Sequence, residues 1–235
     1  MTISAIGASP RRKEDRRFIT GKGNYTDDIN RAGQAYAYFL RSPHAHARIL
    51  GIDSAAALAM PGVVAVLTGK ELAEDGVGGL ICGWMVHSKD GTPMKAGPHP
   101  ALAQEKVRYA GDAVAVVIAE TYAQAKDGAE AVMVDYDVLP AVVDAKAALD
   151  ASAPLVHDEI PQNMVFDWEL GNFKETVDAF ANAAKVVSLD IYNNRLIPNP
   201  MEPRAALGEY DAGTGIHTLH TTSQNPHVAR LVLSA

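Results

Sequence analysis

Apolar and polar positions fall into blocks along the chain, and the period of each block predicts an element. Gln34–Arg41 (QAYAYFLR) is aromatic-rich and predicts a strand. Arg48–Ile52 predicts a second, set off by Ser42-Pro43-His44-Ala45-His46. Asp53-Ser54 ahead of Ala55–Met60 predicts a short capped helix, stopped by Pro61-Gly62. Val63–Leu67 is continuous and mostly β-branched, which predicts a short buried strand. From about Glu74 to His99 the chain is rich in glycine and proline without any period, so a long loop is expected.

The clearest regular unit comes next. Ala113–Ala119 is apolar at every position, as a strand covered on both faces requires. Thr121 is placed to cap a helix running to about Ala131, and Val132–Tyr136 predicts the following strand, ended by Leu139-Pro140. Strand–helix–strand order points to an α+β or α/β domain, and the crossover allows the two strands to pair in parallel. Between Asp150 and about Phe166 the pattern weakens around Pro154 and Pro161, the mark of a linker or domain seam. Phe173, Val177 and Phe180 have helical spacing within Asn172–Ala184. Val186–Tyr192, Ala205–Tyr210 and Ile216–Thr221 predict strands, and Asn225 onward predicts a helix with Pro226 in its first turn. Before all of these, the first twenty or so residues form a polar, basic arm leading into turn chemistry at Gly21–Asp28.

Composition adds bounds to this picture. With 235 residues, 48% hydrophobic and 21% charged, the chain has the profile of a soluble globular protein, one large domain or two small ones. Aromatics are only 6%, so its cores are expected to be aliphatic. The net charge of −7 and the interruption of the basic run Arg11–Arg17 by Glu14 and Asp15 argue against nucleic acid as a partner. Cys82 is the sole cysteine, which excludes an intrachain disulfide, a Cys-only iron–sulfur cluster and a Cys-rich zinc site. Its apolar neighbours, Leu80, Ile81 and Trp84, favour an inert thiol. No signal-peptide pattern and no transmembrane-length apolar run is evident, so a cytoplasmic location is expected.

Few residues declare chemistry by themselves. His44 and His46 would project the same way from an extended segment, but nothing nearby completes a ligand set, and surface or turn histidines are the alternative. The glycines at 76, 78, 79 and 83 do not fit a dinucleotide loop, and no nucleophile elbow occurs. In Pro200-Met201-Glu202-Pro203-Arg204, two prolines fix an extended path around a carboxylate and a guanidinium. These serve either a structural ion pair or the wall of a pocket. Thr221–His227 lies between a strand and a helix start, where Gln224 either faces a ligand or is a plain loop residue beside a capping Thr222 or Ser223.

Seven segments, in order, carry a resemblance. Arg12–Tyr25 is similar to an R-x-E-D-x-R-F-x-T-G-x-G-x-Y opening, and Arg41–Ala47 to R-S-P-x-A-H-A. Pro61-Gly62-Val63, Val107–Ala115, Tyr136–Val142, Pro200–Arg204 and Gln224–His227 follow. Together they resemble the large subunits of the xanthine dehydrogenase, aldehyde oxidase and aerobic carbon-monoxide dehydrogenase family, the molybdenum hydroxylases. The resemblance implies an α+β fold: an N-terminal arm (1–20), an a/b hammerhead domain (21–140), a linker (141–165) and the incomplete start of a molybdopterin-binding domain (166–235).

It also implies a function. The complete subunit would hydroxylate aldehydes, purines or N-heterocycles with water as oxygen source, or oxidise carbon monoxide. It would do so on a molybdenum–molybdopterin cytosine dinucleotide cofactor. Electrons would leave through [2Fe–2S] and FAD on an iron–sulfur subunit and an FAD subunit, in a dimer of heterotrimers. The single cysteine suits clusters carried on another chain. Gln224 matches the glutamine that hydrogen-bonds an oxo ligand of molybdenum, and it is the one cofactor-binding residue implied; no catalytic residue or metal ligand is assigned. The family's glycine-rich cofactor loop, its cysteine loop and its terminal glutamate base have no counterpart here. The chain is therefore expected to be a fragment or a truncated gene product, inactive alone. The alternative is a non-catalytic hammerhead module that docks other subunits.

Overall fold

The computed structural model describes residues 6, 7 and 9–234. In chain order its elements are α1 (Asp15–Ile19), β1 (Tyr36–Arg41), β2 (Ala47–Asp53), α2 (Ala55–Leu58), β3 (Val63–Thr68) and α3 (Gly69–Glu74). Then come β4 (Lys106–Val107), β5 (Ala113–Ala119), α4 (Tyr122–Ala131), β6 (Met133–Val138), α5 (Phe173–Asn182), β7 (Ala206–Asp211), β8 (Ile216–Thr221) and α6 (Pro226–Ser234). They separate into two units. One holds residues 33–191 with the last turn of α6, and the other joins the segment up to Ala32 to residues 192–229.

The larger unit is organised by β5. Val114, Ala115, Val117 and Ala119 are fully buried, as the unbroken apolar run predicts. β5 is the middle strand of an antiparallel sheet in the order β1-β5-β3, with Tyr38 and Val66 both opposite Val117. On one face lies α4, started as expected by the Thr121 hydroxyl accepting from the Gln124 N–H. Small residues let the helix come close: Ala125, Gly128 and Ala129 are buried, and a Cβ on Gly128 would meet Val117 and Val63 side-chain carbons at 3.0 Å. Ala57 of α2, Val117, Ala129 and Val132 close this core, with Tyr38, Leu40 and Val66 around them. A second antiparallel sheet, β4-β2-β6, forms a core from Ala47, Ala103, Val107 and Val114, flanked by Ile49 and Val134.

The parallel pairing allowed for the strands on either side of α4 does not occur. β5 already has β1 and β3 on its two edges, so β6 pairs instead with β2, antiparallel and in the other sheet. β3 is also less buried than expected, because Val64 is 63% exposed on an edge strand. α3 was not anticipated, although its signal is in the sequence. Thr68 accepts from the Lys70 N–H while the Glu71 carboxylate accepts from the Thr68 N–H and hydroxyl, a reciprocal cap on the Thr-x-x-Glu pattern. Asp53 rather than Ser54 caps α2, its carboxylate accepting from the Ala55 N–H at 2.9 Å. In the N-terminal arm, α1 makes a short helix with no buried residue.

The stretch from Asp144 to Asp167 is tied to the strands before it. Lys106, whose side chain is 8% exposed, places its ammonium 2.7 Å from Asp158. A buried ammonium left without that partner would be strongly destabilising. Arg108 donates to the Val156 carbonyl at 3.3 Å, and the Asn163 amide bonds the backbone of Ala148, Pro154 and Val156 at once. The loop expected over 74–99 is irregular, with isolated bridges, and it is held to this stretch by Lys89 N–H to Asp167 C=O and Lys95 N–H to Val165 C=O. The strand expected over 186–192 is absent: these residues belong to no sheet or helix. Among the described residues no helix is long and apolar enough to cross a membrane.

Gly69 and Gly51 test the packing. A Cβ at Gly69 would lie 2.5 Å from the Ala103 carbonyl oxygen, whereas one at Gly51 would meet nothing within 4 Å. Gly69→Ala is expected to lower unfolding free energy by about 1–3 kcal/mol. Gly51→Ala is expected to leave it unchanged or raise it by up to about 1 kcal/mol. Urea melts of both variants decide this, and equal stabilities would refute the close backbone approach at Gly69.

Candidate functional site

The smaller unit is built on the β7–β8 hairpin. Asp211 ends β7 and its carboxylate accepts from the Gly213 and Thr214 N–H groups, while Gly215 turns the chain at φ +72°. The six-residue register from Ala206↔Thr221 to Asp211↔Ile216 is unbroken. β8 then delivers Thr222, Ser223 and Gln224 to the start of α6. Asn225 supplies the helix cap, its side-chain oxygen accepting from the Val228 N–H at 3.2 Å, with Pro226 at the first helical position. Ser223 accepts from the Asn225 N–H at 3.1 Å. Gln224 stands on the bend between strand and helix, exposed, with no hydrogen bond to the described residues.

Two distant segments meet this junction. Thr222 Oγ1 is 3.4 Å from Glu202 Oε1 and 3.4 Å from Thr26 Oγ1. Donation from Thr222 to the carboxylate leaves its oxygen to accept from Thr26, so the three groups satisfy one another in series. Glu202 therefore belongs to the junction through a neutral hydroxyl. Neither Glu202 nor Arg204 has an ion-pair partner among the described residues, so the structural ion pair expected as one reading of Pro200–Arg204 is not formed. Asn199, at φ +43° between two prolines, turns the chain into that segment.

A second link lies across the hairpin. Glu209 Oε1 is 2.8 Å from Arg31 Nη2 and 2.8 Å from His220 Nε2. The Arg31 guanidinium foremost, and His220 after it, hold the Glu209 carboxyl below its ordinary value. These long-range pairs carry no sequence signal, since each joins residues whose neighbourhood depends on the hairpin being formed.

The other candidates resolve differently. His46 is not a surface residue: it is 5% exposed, and its Nδ1–H donates to the Pro140 carbonyl at 2.8 Å. Its Nε2 is buried without a partner among the described residues. His44 packs edge-on against Tyr136, with ring centroids 5.0 Å apart. Cys82 is exposed, and so are its apolar neighbours Leu80, Ile81 and Trp84, so the shielding expected for this thiol is not built. Among the described residues no three His, Cys, Asp or Glu side chains are grouped to hold a metal ion. What the strand–helix junction offers is hydrogen bonding, an uncommitted carboxamide beside a capped helix start, and that donor set fits an oxygen-bearing group rather than a bare cation.

Residues 20–140 match the family model described as "Aldehyde oxidase and xanthine dehydrogenase, a/b hammerhead domain". The chain belongs to the aldehyde oxidase and xanthine dehydrogenase family. Residues 156–235, which include the hairpin and Gln224, match the model of a molybdopterin cofactor-binding domain. Among members of the family, the carbon monoxide dehydrogenase large chain of Hydrogenophaga pseudoflava is 40% identical over 99% of this chain and 29% of its own length. The nicotine 6-hydroxylase large subunit of Paenarthrobacter nicotinovorans is 35% identical over 100% of this chain and 28% of its own. The structure of reconstituted CO dehydrogenase from Oligotropha carboxidovorans aligns with a TM-score of 0.80 and 37% identity, covering 97% of this chain and 28% of that one. The chain thus spans under a third of the length of these relatives, two of which are named as a large chain and a large subunit.

The Glu209 link generates a pH prediction. A carboxyl held low in the folded state contributes stability above its unfolded range, around 4.5, and loses it as pH falls through the lower folded value. Hydrogen exchange of the β7 and β8 amides is expected to be constant from neutral pH down to that range, once corrected for intrinsic rates, and to accelerate below it. Glu209→Gln should show the faster exchange at neutral pH as well. If this variant exchanges like the parent at pH 7, Glu209 does not hold Arg31 and His220 together.

Proposed function

We propose that this chain forms the N-terminal part of the molybdopterin-binding catalytic subunit of a molybdenum hydroxylase, and that Gln224 is the residue through which it touches the cofactor. The reading is carried by one observation: Gln224 is exposed and uncommitted at the strand–helix junction, inside the stretch that matches a molybdopterin cofactor-binding domain. Its neighbours are already satisfied. Thr222 is bonded to Thr26 and Glu202, Ser223 to Asn225, and Asn225 to the helix, so among the described residues Gln224 alone of the five polar residues before Pro226 has no side-chain hydrogen bond.

In this reading residues 1–20 are an arm, 21–140 the hammerhead domain, 141–165 the connection and 166–235 the beginning of the cofactor domain. The cofactor is molybdenum with molybdopterin cytosine dinucleotide, and when bound it supplies an oxygen derived from water and takes up the electrons of the reaction. Gln224 would help hold the group, its amide N–H free to donate to one of the group's oxygens. A carboxamide does not titrate, so this donor is present at every working pH, and the bracing of Thr222 holds the bend that aims it. The partners in this reading are an iron–sulfur subunit with [2Fe–2S] and an FAD subunit, which would carry the electrons away, in a dimer of heterotrimers in the cytoplasm. The substrate is of the kind the family takes: an aldehyde, a purine, an N-heterocycle or carbon monoxide.

Two measurements test this. The 235-residue chain alone is expected to hold far less than stoichiometric molybdenum by metal analysis, because this reading gives it one cofactor contact and its described residues group no ligand cage. Stoichiometric metal on it would refute that division of labour. In the Hydrogenophaga pseudoflava large chain with its matching first part replaced by this chain, Gln224→Leu should retain molybdenum and lower turnover by about 10- to 100-fold. Full occupancy with unchanged turnover would remove Gln224 from the site.

A further inference from the structure

The stretch Val186–Ile191 has the pattern of a strand and none of its partners. Val187, Leu189 and Ile191 lie at alternate positions and are 78, 81 and 82% exposed. Ser188 and Asp190 occupy the positions between them. Successive side chains of an extended segment point to opposite faces, so Val187, Leu189 and Ile191 share one face, and Ser188 and Asp190 share the other with the half-exposed Val186. Among the described residues none of these backbone groups has a backbone hydrogen-bond partner. A period of two with one apolar face is what a strand on the boundary of a core requires, and soluble chains do not leave such an edge open.

We infer that residues 186–191 are a docking strand, which adds to a sheet edge supplied by polypeptide equivalent to the part of the family's large chains that this chain does not span. This rests on the reading of the chain as part of such a subunit. Two observations select that occupant. The stretch lies inside residues 156–235, which match a cofactor-binding domain, and the relatives that match nearly all of this chain are more than three times its length. The neighbouring helix has the same deficit: Phe173, Val177 and Phe180 form one stripe on α5 and are 67, 47 and 60% exposed. Main-chain hydrogen bonds would give the added strand its affinity, and the alternate aliphatic side chains its register.

The test is amide hydrogen exchange of this chain with and without a purified polypeptide comprising the unspanned part of the Hydrogenophaga pseudoflava large chain, used once circular dichroism has shown it folded. Alone, the amides of 187–191 should exchange at rates near those of an unstructured peptide. With the probe they should slow by about 100-fold or more, and Leu189→Asp should abolish the slowing while leaving β5 exchange unchanged. No association, association that leaves these amides fast, or a Leu189→Asp variant protected like the parent each overturns the inference. Protection in the chain alone that grows with its concentration assigns the edge to a second copy and overturns it too. A complex that protects 187–191 yet never acquires molybdenum would refute the proposed function and leave the docking strand standing.

Discussion

β5 must be covered on both faces and both edges, and most of the larger unit follows from meeting that demand. Its side chains are apolar throughout, so any open face would cost burial worth about 1.5–3 kcal/mol for each large aliphatic group. α4 covers one face, and can do so only because alanine and glycine bring the helix axis down onto Val117 and Val63. Ala103 and Val107, packed with Val114, belong to the core of the second sheet. β1 and β3 occupy the edges, which in turn forces β6 across to β2 and creates that sheet. The abundance of alanine in this sequence is thus a geometric requirement: small side chains let layers approach closely where aromatic ones would hold them apart.

Sequence pattern revealed these elements wherever their cause was local. The β5 run, the Thr121 cap, the α5 spacing and the Pro226 helix start each depend on a few adjacent residues, and each was readable. The Thr68-x-x-Glu71 cap was equally local and went unread, because its helix is too short to show a period. Strand pairing was not readable in principle. Whether β6 joins β5 or β2 depends on which edges are already taken, and edge occupancy is a property of the assembled sheet. Buried His46 was likewise opaque, since its acceptor, Pro140, is 94 residues away.

The candidate site divides the same way. The position of Gln224 between a strand and a helix start could be inferred from turn chemistry, but its role came only from resemblance. The groups that brace its neighbourhood, Thr26, Glu202, Arg31 and His220, could not be gathered from spacing, because β7 and β8 must pair before they meet. Glu209, Arg31 and His220 meet across the hairpin, while at the junction the hydroxyls of Thr26 and Thr222 meet the Glu202 carboxylate. There Thr222 stands between the Glu202 side chain and the residues of the bend that follow it.

The hydroxyl contact between Thr26 and Thr222 spans 196 residues of sequence. During synthesis, Thr26 leaves the ribosome long before the hairpin it joins exists, while every strand of the larger unit has already been made. The Thr26 segment is therefore translated well before the partner that fastens it. In the interval Thr26 has no hairpin to meet, and the junction around Gln224 is completed by residues that lie far apart in the sequence.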